Sequence, residues 1–478
     1  MMAEEIVERI VERRGRAATF AGVRAVVVGY GTSGRAAARA LAGRGASVVV
    51  SEARDAADLL DADPPGDPGS LSGAVELRAG GHRPEHLDGA DLVVVSPGVP
   101  PTAPVVGWAR ERGLPVWGEL ELGARIARAP YLAVTGTNGK STTVELLAEI
   151  LRAAGLRARA CGNVGYPFPE AAGEDLDALV VEASSFQLAF HETFRPRVSV
   201  LLNVAPDHLD WHGSSEAYAG AKARVHAAQG EGDVHVGNAE DAGAAAISRE
   251  APCEVRWFRA GPPLEGEVGV EDGAVVARID GRRLPLGSSN LAGALLADAA
   301  AAAAAALAFG IDAAAIGAGL ASFRALPHRG EEVARAGIVR FLDDSKATNV
   351  HAALAALAGR RQTVLIAGGL AKGVELSALA DAAPSLAAVV AIGEAAAALE
   401  EAFDGRGVVV RRAGSMEEAV EAAWEEAHPG EVVLLAPACA SMDMFRDYAD
   451  RGERFAAAAR DLAAVVNAGG DPALGPGG

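Results

Sequence analysis

The stretch from Tyr131 to Thr143 reads YLAVTGTNGKSTT, an apolar run breaking into a glycine-rich turn that ends in Lys140 and Ser141. The helical pattern VELLAEILRAAG follows at once. Strand, glycine turn and helix in that order form a phosphate loop. Glycines let backbone N–H groups approach phosphate oxygens, and the helix N-terminus adds positive potential. Lys140 is expected to reach the terminal phosphates of a nucleoside triphosphate and Ser141 to ligate Mg²⁺. The common loop has glycine five places before Gly139, where this chain has Val134. The loop is therefore a shorter GTNGKST variant that starts at Gly136.

Further chemistry-bearing residues stand where other apolar runs end. Glu182 follows ALVV, and Asp207, His208 and Asp210 follow VLLNV, so both sets project toward the sheet edge that the phosphate loop occupies. Mg²⁺ prefers oxygen ligands, phosphates and water, which makes Ser141 and Glu182 natural ligands. His208 is less usual for so hard a cation and could instead orient a carboxylate or a water. Gly29, Gly31 and Gly34 make a complete G-x-G-x-x-G directly after VRAVVV, with Glu52 at the end of the next run. That is a dinucleotide fingerprint with Glu52 on a ribose hydroxyl, and a dehydrogenase is one reading of it. The same turn holds any diphosphate, a UDP group included, and hydride transfer has no use for a triphosphate loop.

Later in the chain, Leu326-Pro327-His328-Arg329 places a guanidinium where nucleotide phosphates could be neutralised on domain closure. The loop Asp343-Asp344-Ser345-Lys346-Ala347-Thr348-Asn349 sets two carboxylates, a lysine and hydroxyls side by side. Helix capping by Ser345 or Thr348 would account for part of it, but not for the whole set.

Three alternating patterns must position these residues. At 478 residues the chain is too long for one core. The first block runs from Val23 through ASVVVSE and ADLVVVSPGVP; the second holds the phosphate loop and, around Glu265 to Pro285, an alternation that suggests antiparallel strands. The third runs IVRFLDDSKATN, TVLIAGGLAKG, AVVAIGEA, GVVVRRAG and EVVLLAPACASMDMF, with room for a crossover helix between strands. The expected fold is α/β in three domains: a Rossmann-like N-terminal domain, a central P-loop ATPase-like α/β domain and a C-terminal Rossmann-like domain. The boundaries are an extension over 1–16, domains over 17–128, 129–326 and 327–466, and a Gly- and Pro-rich flexible tail over 467–478. Residues 1–16 read as a short amphipathic helix, and the alanine-rich run Leu291 to Phe309, interrupted by Asp298, as a buried helix rather than a membrane span.

A net charge of −19 and a pI near 5.0 disfavour nucleic acid and anionic membrane surfaces as partners. Cys161, Cys253 and Cys439 lack metal-ligand spacing; three of them, with no secretory signal, point to reduced thiols in the cytoplasm.

From Val23 to about Ala464 the chain resembles the Mur ligase family. GTNGKST, EASSFQL, NVAPDHLD, YAGAKARVH, LPHR, DDSKATN and APACASMDMF occur in the order that family uses. The GYGTSG start and the last two motifs are most similar to its D-glutamate-adding members. The resemblance implies ATP-dependent amide formation in cytoplasmic peptidoglycan precursor synthesis: D-glutamate joins UDP-N-acetylmuramoyl-L-alanine through an acyl phosphate, with Mg²⁺ at two sites. Other steps of the family, or a folylpolyglutamate synthetase-like ligase, would share GTNGKST and differ in the first domain and the third-domain loop. A nonenzymatic nucleotide sensor would lack the Glu182, His208 and Lys222 set.

Carried over by motif, the resemblance gives ATP to Gly136, Thr137, Asn138, Gly139, Lys140, Ser141 and Thr142, with Asn290, Arg329 and Asp344 contributing. Ser141, Glu182, His208 and Lys222 hold metal, and Lys140, His208 and Lys222 serve catalysis. Pattern alone reads Lys222 as a solvated helix lysine; the resemblance implies a lysine carbamylated by CO₂, which requires a neutral, partly desolvated amine. The UDP end falls to Gly31, Thr32, Ser33, Glu52, Gly98 and Asn163, and D-glutamate to Thr348, Lys372, Ser441 and Tyr448. Two positions depart from the family pattern: Gly293 replaces a second asparagine after Asn290, and Ala371 stands where an acidic residue is frequent. A monomer that closes about Leu326 and Pro327 is the expected working form.

Overall fold

The computed structural model describes residues 19–56, 75–289, 291, 293, 295–371, 373, 375–428 and 431–469. Asn290 and Lys372 lie outside the described residues, as do the N-terminal extension and most of the tail.

Valine-rich runs dominate the first sheet, as expected of strands covered on both faces. It comprises β1 (Arg24–Val28), β2 (Ser47–Ser51), β3 (Val75–Arg78), β4 (Leu92–Val95) and β5 (Val116–Gly118), all parallel in the order β3-β2-β1-β4-β5. The order in which successive strands are added reverses between β1 and β4, the crevice where a ligand is held in such sheets. Helix α1 (Thr32–Ala42) follows β1, and α2 (Glu119–Ile126) follows β5.

The second sheet has nine strands: β6 (Tyr131–Thr135), β7 (Ala158–Gly162), β8 (Ala178–Glu182), β9 (Val198–Leu201), β10 (Val234–Asn238), β11 (Glu254–Phe258), β12 (Glu267–Glu271), β13 (Ala274–Ile279) and β14 (Arg282–Ser288). Their order is β14-β13-β12-β11-β10-β9-β6-β8-β7. The strands from β7 to β12 pair in parallel, while β12, β13 and β14 form the antiparallel meander that the alternation indicated. Helix α3 (Lys140–Ala153) leaves β6, and α4 (Ser215–Ala223) carries the YAGAKA segment. The alanine-rich run forms α5 (Leu295–Phe309), buried from Ala299 to Ala306. Helix α6 (Ala313–Ser322) lies so close on α3 that a Cβ on Gly319 would stand 2.5 Å from the Cα of Ile150.

The third sheet contains β15 (Glu331–Ala336), β16 (Val339–Asp343), β17 (Thr363–Gly368), β18 (Leu386–Ile392), β19 (Val409–Ala413) and β20 (Val432–Leu435), in the order β15-β16-β20-β17-β18-β19. Five strands are parallel, and β15 adds antiparallel to β16. Sequence reading missed this hairpin because EEVARA is too polar to read as a strand. A two-residue turn with Gly337 at φ 56° makes it. Helices α7 (Val350–Leu357) and α8 (Tyr448–Ala468) cover this sheet.

The three sheets form two compact units. The first takes its described residues from 1–204, 216–289 and 297–323, the second from 205–215, 290–296 and 324–478. Within the first unit, one apolar cluster runs from Val27, Leu41 and Val50 of the first sheet to Phe168, Leu179 and Val181 of the second. Arg39 of α1 adds an ion pair to Glu170. A shared core of this kind holds the two sheets as one body.

Candidate functional site

The phosphate loop leaves β6 at Thr135 and enters α3 at Lys140. Gly139 makes the turn possible. Its φ is 86°, and a Cβ there would meet Asp298 Oδ1 at 2.2 Å and Leu202 Cδ1 at 3.1 Å. Asn203, just beyond β9, clamps the loop. Its main-chain oxygen accepts from Thr137 N–H at 3.0 Å, its Oδ1 accepts from Asn138 N–H at 2.8 Å, and its Nδ2 donates to Asn138 O at 3.2 Å. Sequence reasoning assigned Asn203 no role, although it stands inside NVAPDHLD. Thr137 and Asn138 thus direct their N–H groups to Asn203, and the N-terminus of α3 brings its positive end to the loop.

Lysine placement is the most telling feature of this cluster. Lys140 Nζ donates to Gly136 O at 2.8 Å and Thr137 O at 2.9 Å, and Lys222 Nζ donates to the same Gly136 O at 2.7 Å. Two ammonium groups sharing one carbonyl oxygen stand within roughly 5.5 Å of each other, a repulsive arrangement in a weakly solvated place. A phosphate oxygen placed between them would be attracted by both. The solvated reading of Lys222 does not hold: the residue is 1% exposed. It reaches inward because α4 turns that face onto the loop, with Tyr218 donating its hydroxyl to Thr137 Oγ1 at 3.1 Å and the Tyr218 ring 4.5 Å from Lys222 Nζ.

Ser141 is buried in the first turn of α3, and Glu182 is buried at the end of β8. Glu182 Oε1 accepts from Asn163 Nδ2 at 3.0 Å, and its main-chain oxygen accepts from Asn163 N–H at 2.9 Å. The β7 end passes close enough that a Cβ on Gly162 would lie 2.3 Å from Glu182 O. A hydroxyl and a carboxylate beside a helix N-terminus form an all-oxygen donor set, which fits Mg²⁺ held partly by phosphates and water. Among the described residues no three His, Cys, Asp or Glu side chains gather as a metal cage.

At the first sheet's crevice, Gly29 has φ 89°, and a Cβ on Gly34 would stand 1.9 Å from Gly29 O, so both glycines serve the turn itself. Gly31, Thr32 and Gly98 are exposed, and a Cβ on Gly31 or Gly98 would meet nothing within 4 Å, which leaves them open to a ligand. Glu52 is occupied in bracing the turn: Oε2 accepts from Tyr30 N–H at 2.6 Å and Oε1 from Arg54 N–H at 3.0 Å. Burial alone would raise its pKa, but the Arg54 guanidinium and these N–H groups hold it at about 2. Nearby, Ser51 Oγ meets His82 Nδ1 at 2.9 Å and His86 Nδ1 at 2.8 Å.

In the second unit, Asp207 and His208 sit with the third sheet rather than with the phosphate loop's unit. Asn349 Nδ2 donates to Asp207 Oδ2 at 3.0 Å, while its Oδ1 caps α7 through Ala352 N–H at 2.9 Å. His208 adopts φ 52°, with its N–H on Asp207 Oδ1 at 2.9 Å. The loop after β16 is tightly organised. His328 Nδ1 lies 2.6 Å from Asp343 Oδ2, and Lys346 Nζ donates to the Tyr448 hydroxyl at 3.2 Å while standing over its ring. Burial drives the Asp344 carboxyl up to about 7; Arg329 opposes the rise and Asp343 adds to it. Arg329 and Asp344 are therefore neighbours. Thr348 is half-buried in this loop and Ser441 buried after β20. Sequence reading missed Arg451, which is fully buried on α8 and donates to Ser345 Oγ (3.0 Å), Ser345 O (2.8 Å) and Cys439 O (3.1 Å). Nothing in the sequence near it distinguishes it from a surface arginine of an amphipathic helix.

This fold and these loops belong to a known class. Family models match in succession: the Mur ligase MurD-like N-terminal domain over residues 23–118, the Mur ligase middle domain over 134–264 and the Mur ligase glutamate ligase domain over 328–439. The chain belongs to the Mur ligase family. A UDP-N-acetylmuramoylalanine--D-glutamate ligase of Frankia casuarinae is 46% identical over 92% of this chain and 95% of its own length. A protein of the same name from Streptomyces coelicolor is 42% identical over 93% and 99%. Among solved structures, MurF ligase from Thermotoga maritima in complex with ADP shares the fold with a TM-score of 0.58 at 18% identity, over 93% of this chain and 96% of that one. A pseudomurein peptide ligase type C from Methanothermus fervidus does so with a TM-score of 0.57 at 20% identity, over 91% and 99%.

Proposed function

We propose that this chain is an ATP-dependent ligase that joins D-glutamate to UDP-N-acetylmuramoyl-L-alanine in peptidoglycan precursor synthesis, acting in the cytoplasm as a monomer. Identity of 46% along nearly the whole length of a relative with that name supports the substrate pair. The observation that carries the chemistry is the convergence of Lys140 and Lys222 on Gly136 O, which prepares an anion site at the start of α3. No helix among the described residues is long and apolar enough to cross a membrane.

In this reaction the alanyl carboxylate attacks the γ-phosphorus of ATP, a C–O–P bond forms, the bond to the β-phosphate oxygen breaks, and ADP leaves. The D-glutamate amine then attacks the acyl carbon, phosphate departs with the bonding pair, and the nitrogen loses a proton. Two anions must approach each other in the first step, so catalysis consists largely of holding them and offsetting their repulsion. Gly136 to Thr142 hold ATP, with Lys140 released from the loop carbonyls onto phosphate oxygen. Ser141 and Glu182 would hold Mg²⁺, which when bound neutralises charge between the two anions. Lys222 as a carbamate would turn one of two crowded cations into an oxygen ligand, and a second metal site with His208 belongs to the same reading. The carbamate forms by attack of the neutral amine on CO₂ with loss of a proton, and the near-complete burial of Lys222 supports it. Arg329 and Asp344, with Asn290, complete the nucleotide contacts.

Gly31, Thr32, Ser33 and Gly98 take the UDP end at the first sheet's crevice, where Glu52 acts by bracing the turn, and Asn163 acts through Glu182 and the pyrophosphate. Thr348, Lys372, Ser441 and Tyr448 take D-glutamate. Domain limits of 17–128, 129–326 and 327–466 belong to the same proposal. The test is phosphate release from ATP and Mg²⁺ with UDP-N-acetylmuramoyl-L-alanine and one of four amines: D-glutamate, L-glutamate, L-alanine or meso-diaminopimelate. Turnover with D-glutamate alone is expected; turnover with another amine reassigns the third-domain pocket, and none with any amine overturns the ligase reading.

A further inference from the structure

Glu119 is a buried carboxylate to which none of these roles falls. It opens α2 at the junction of the first two sheets and is 1% exposed. Three donors meet it: Phe168 N–H at 3.2 Å on Oε1, Gln187 Nε2 at 3.1 Å on Oε2, and the Ser33 hydroxyl. Burial raises its pKa, and those three hydrogen bonds work against the rise. The amide of Gln187 has a fixed orientation. Its Oε1 accepts from Ser184 N–H at 3.0 Å and from the Ser184 hydroxyl at 2.9 Å, so its NH₂ must face Glu119.

The two ends of this chain of bonds lie at the turns that the functional reading gives to different ligands. Ser33 stands in the first turn of α1, beside the open Gly31. Ser184 follows Glu182 by two residues and caps the turn that leaves β8. A phosphate oxygen arriving at the Gly31 turn competes for the Ser33 proton. When the hydroxyl swings to the ligand, Glu119 loses one donor and its bonds to Gln187 and Phe168 strengthen, because the carboxylate's charge is then shared between two donors rather than three.

We propose that Glu119 is a positioning residue that couples occupancy of the Gly31–Ser33 turn to the placement of Glu182, so that the UDP-bearing substrate and the Mg²⁺–nucleotide bind cooperatively. This inference rests on the functional reading above for the identity of the two ligands. Calorimetric titration of the full chain with Mg²⁺ and a non-hydrolysable ATP analogue, with and without saturating UDP-N-acetylmuramoyl-L-alanine, measures the coupling directly. Wild type is expected to bind the analogue about fivefold or more tightly with the second ligand present, the usual lower range of such coupling. Glu119→Gln places an NH₂ group against either Phe168 N–H or Gln187 Nε2. Its coupling should fall below about twofold, while its affinity for the analogue alone stays within about threefold of wild type. A residue with a merely structural role would lower the melting temperature and leave the coupling factor unchanged. Ser33→Ala removes the movable donor while leaving the carboxylate and its bonds to Phe168 and Gln187 in place, should lose coupling likewise, and carries the test if Glu119→Gln does not fold. Wild-type coupling retained in both variants, or absent from wild type, overturns the inference alone. Failure of wild type to bind the UDP substrate overturns the functional reading along with it.

Discussion

Two histidines in the first unit are kept uncharged by the fold, and their removal from water gives the protein a calculable sensitivity to acid. His235 lies on β10 fully buried, with Nδ1 2.6 Å from Ser199 Oγ and Nε2 2.9 Å from Ser248 Oγ. Burial, with a smaller contribution from the adjacent His226, lowers its pKa from 6.5 to about 3. His191 is lowered to about 4, again chiefly by burial and then by Arg224. Both pKa values are depressed on folding, so below pH 6.5 the unfolded chain binds protons that the folded chain refuses. Their contribution is therefore fully present above the unfolded value and is lost as pH falls toward the folded values. Each histidine withdraws about 1.4 kcal/mol per pH unit in that window. From pH 6.5 to 5 the pair removes about 3 kcal/mol, a large part of the roughly 5–15 kcal/mol that holds a typical domain together. Urea unfolding followed by tryptophan fluorescence tests this, since Trp257 pairs with Gly237 across β10 and β11 and reports on this sheet. His235→Gln lowers stability at every pH, but the slope of stability against pH below 6.5 should become shallower by about 1.4 kcal/mol per unit. An unchanged slope would mean that His235 titrates normally in the folded state, and the reasoning fails. Asp344 works the other way in the second unit. Its carboxyl is raised from 3.8 to about 7, so the cost of keeping it ionised is relieved as pH falls below 7. Acidification should accordingly separate the unfolding of the two units.

Lys140→Met should reduce phosphate release at saturating substrates by about 10²-fold or more while the chain stays folded, since in the proposed reaction it removes the charge that would meet the transferring phosphoryl group. For Lys222→Ala a loss of similar size is expected, with a ¹³C-carbamate signal present in wild type under ¹³CO₂ and absent from the variant; full activity and no carbamate signal would refute its role. Gly139→Ala forces a Cβ into the Asp298 carboxylate at φ 86°, and its backbone strain alone costs about 1–2 kcal/mol. A raised KM for ATP should accompany the lower melting temperature. Arg451→Met removes charge-assisted hydrogen bonds to the carbonyls of Ser345 and Cys439, each worth about 1.5–3 kcal/mol, and should lower the unfolding midpoint of the second unit selectively.

Local sequence carried much of this architecture. Val-rich runs before glycine turns announced β1 and β6, the alternation from Glu265 onward announced the β12–β14 meander, and GTNGKST announced the phosphate loop by residue type alone. These signals are legible because backbone geometry imposes them locally: only glycine tolerates φ 86° at position 139, and a doubly covered strand must be apolar on both faces. The ordered motifs also named the family, which no single motif would have done. Composition could not tell where long polar side chains end. Lys222 read as a surface residue until α4 was seen to turn it under the phosphate loop, and Arg451 had no signal at all. Asn203, Glu119 and Gln187 gain their roles from partners 65, 49 and 68 residues away, and the placement of Asp207 with Asn349 spans 142. Such pairings follow from how the sheets stack and share a core. The sequence by itself determined which elements form and which chemistry they carry; the tertiary structure decided which charges leave water and which neighbours they meet there, because desolvation and hydrogen-bond geometry depend on distances that chain order does not contain.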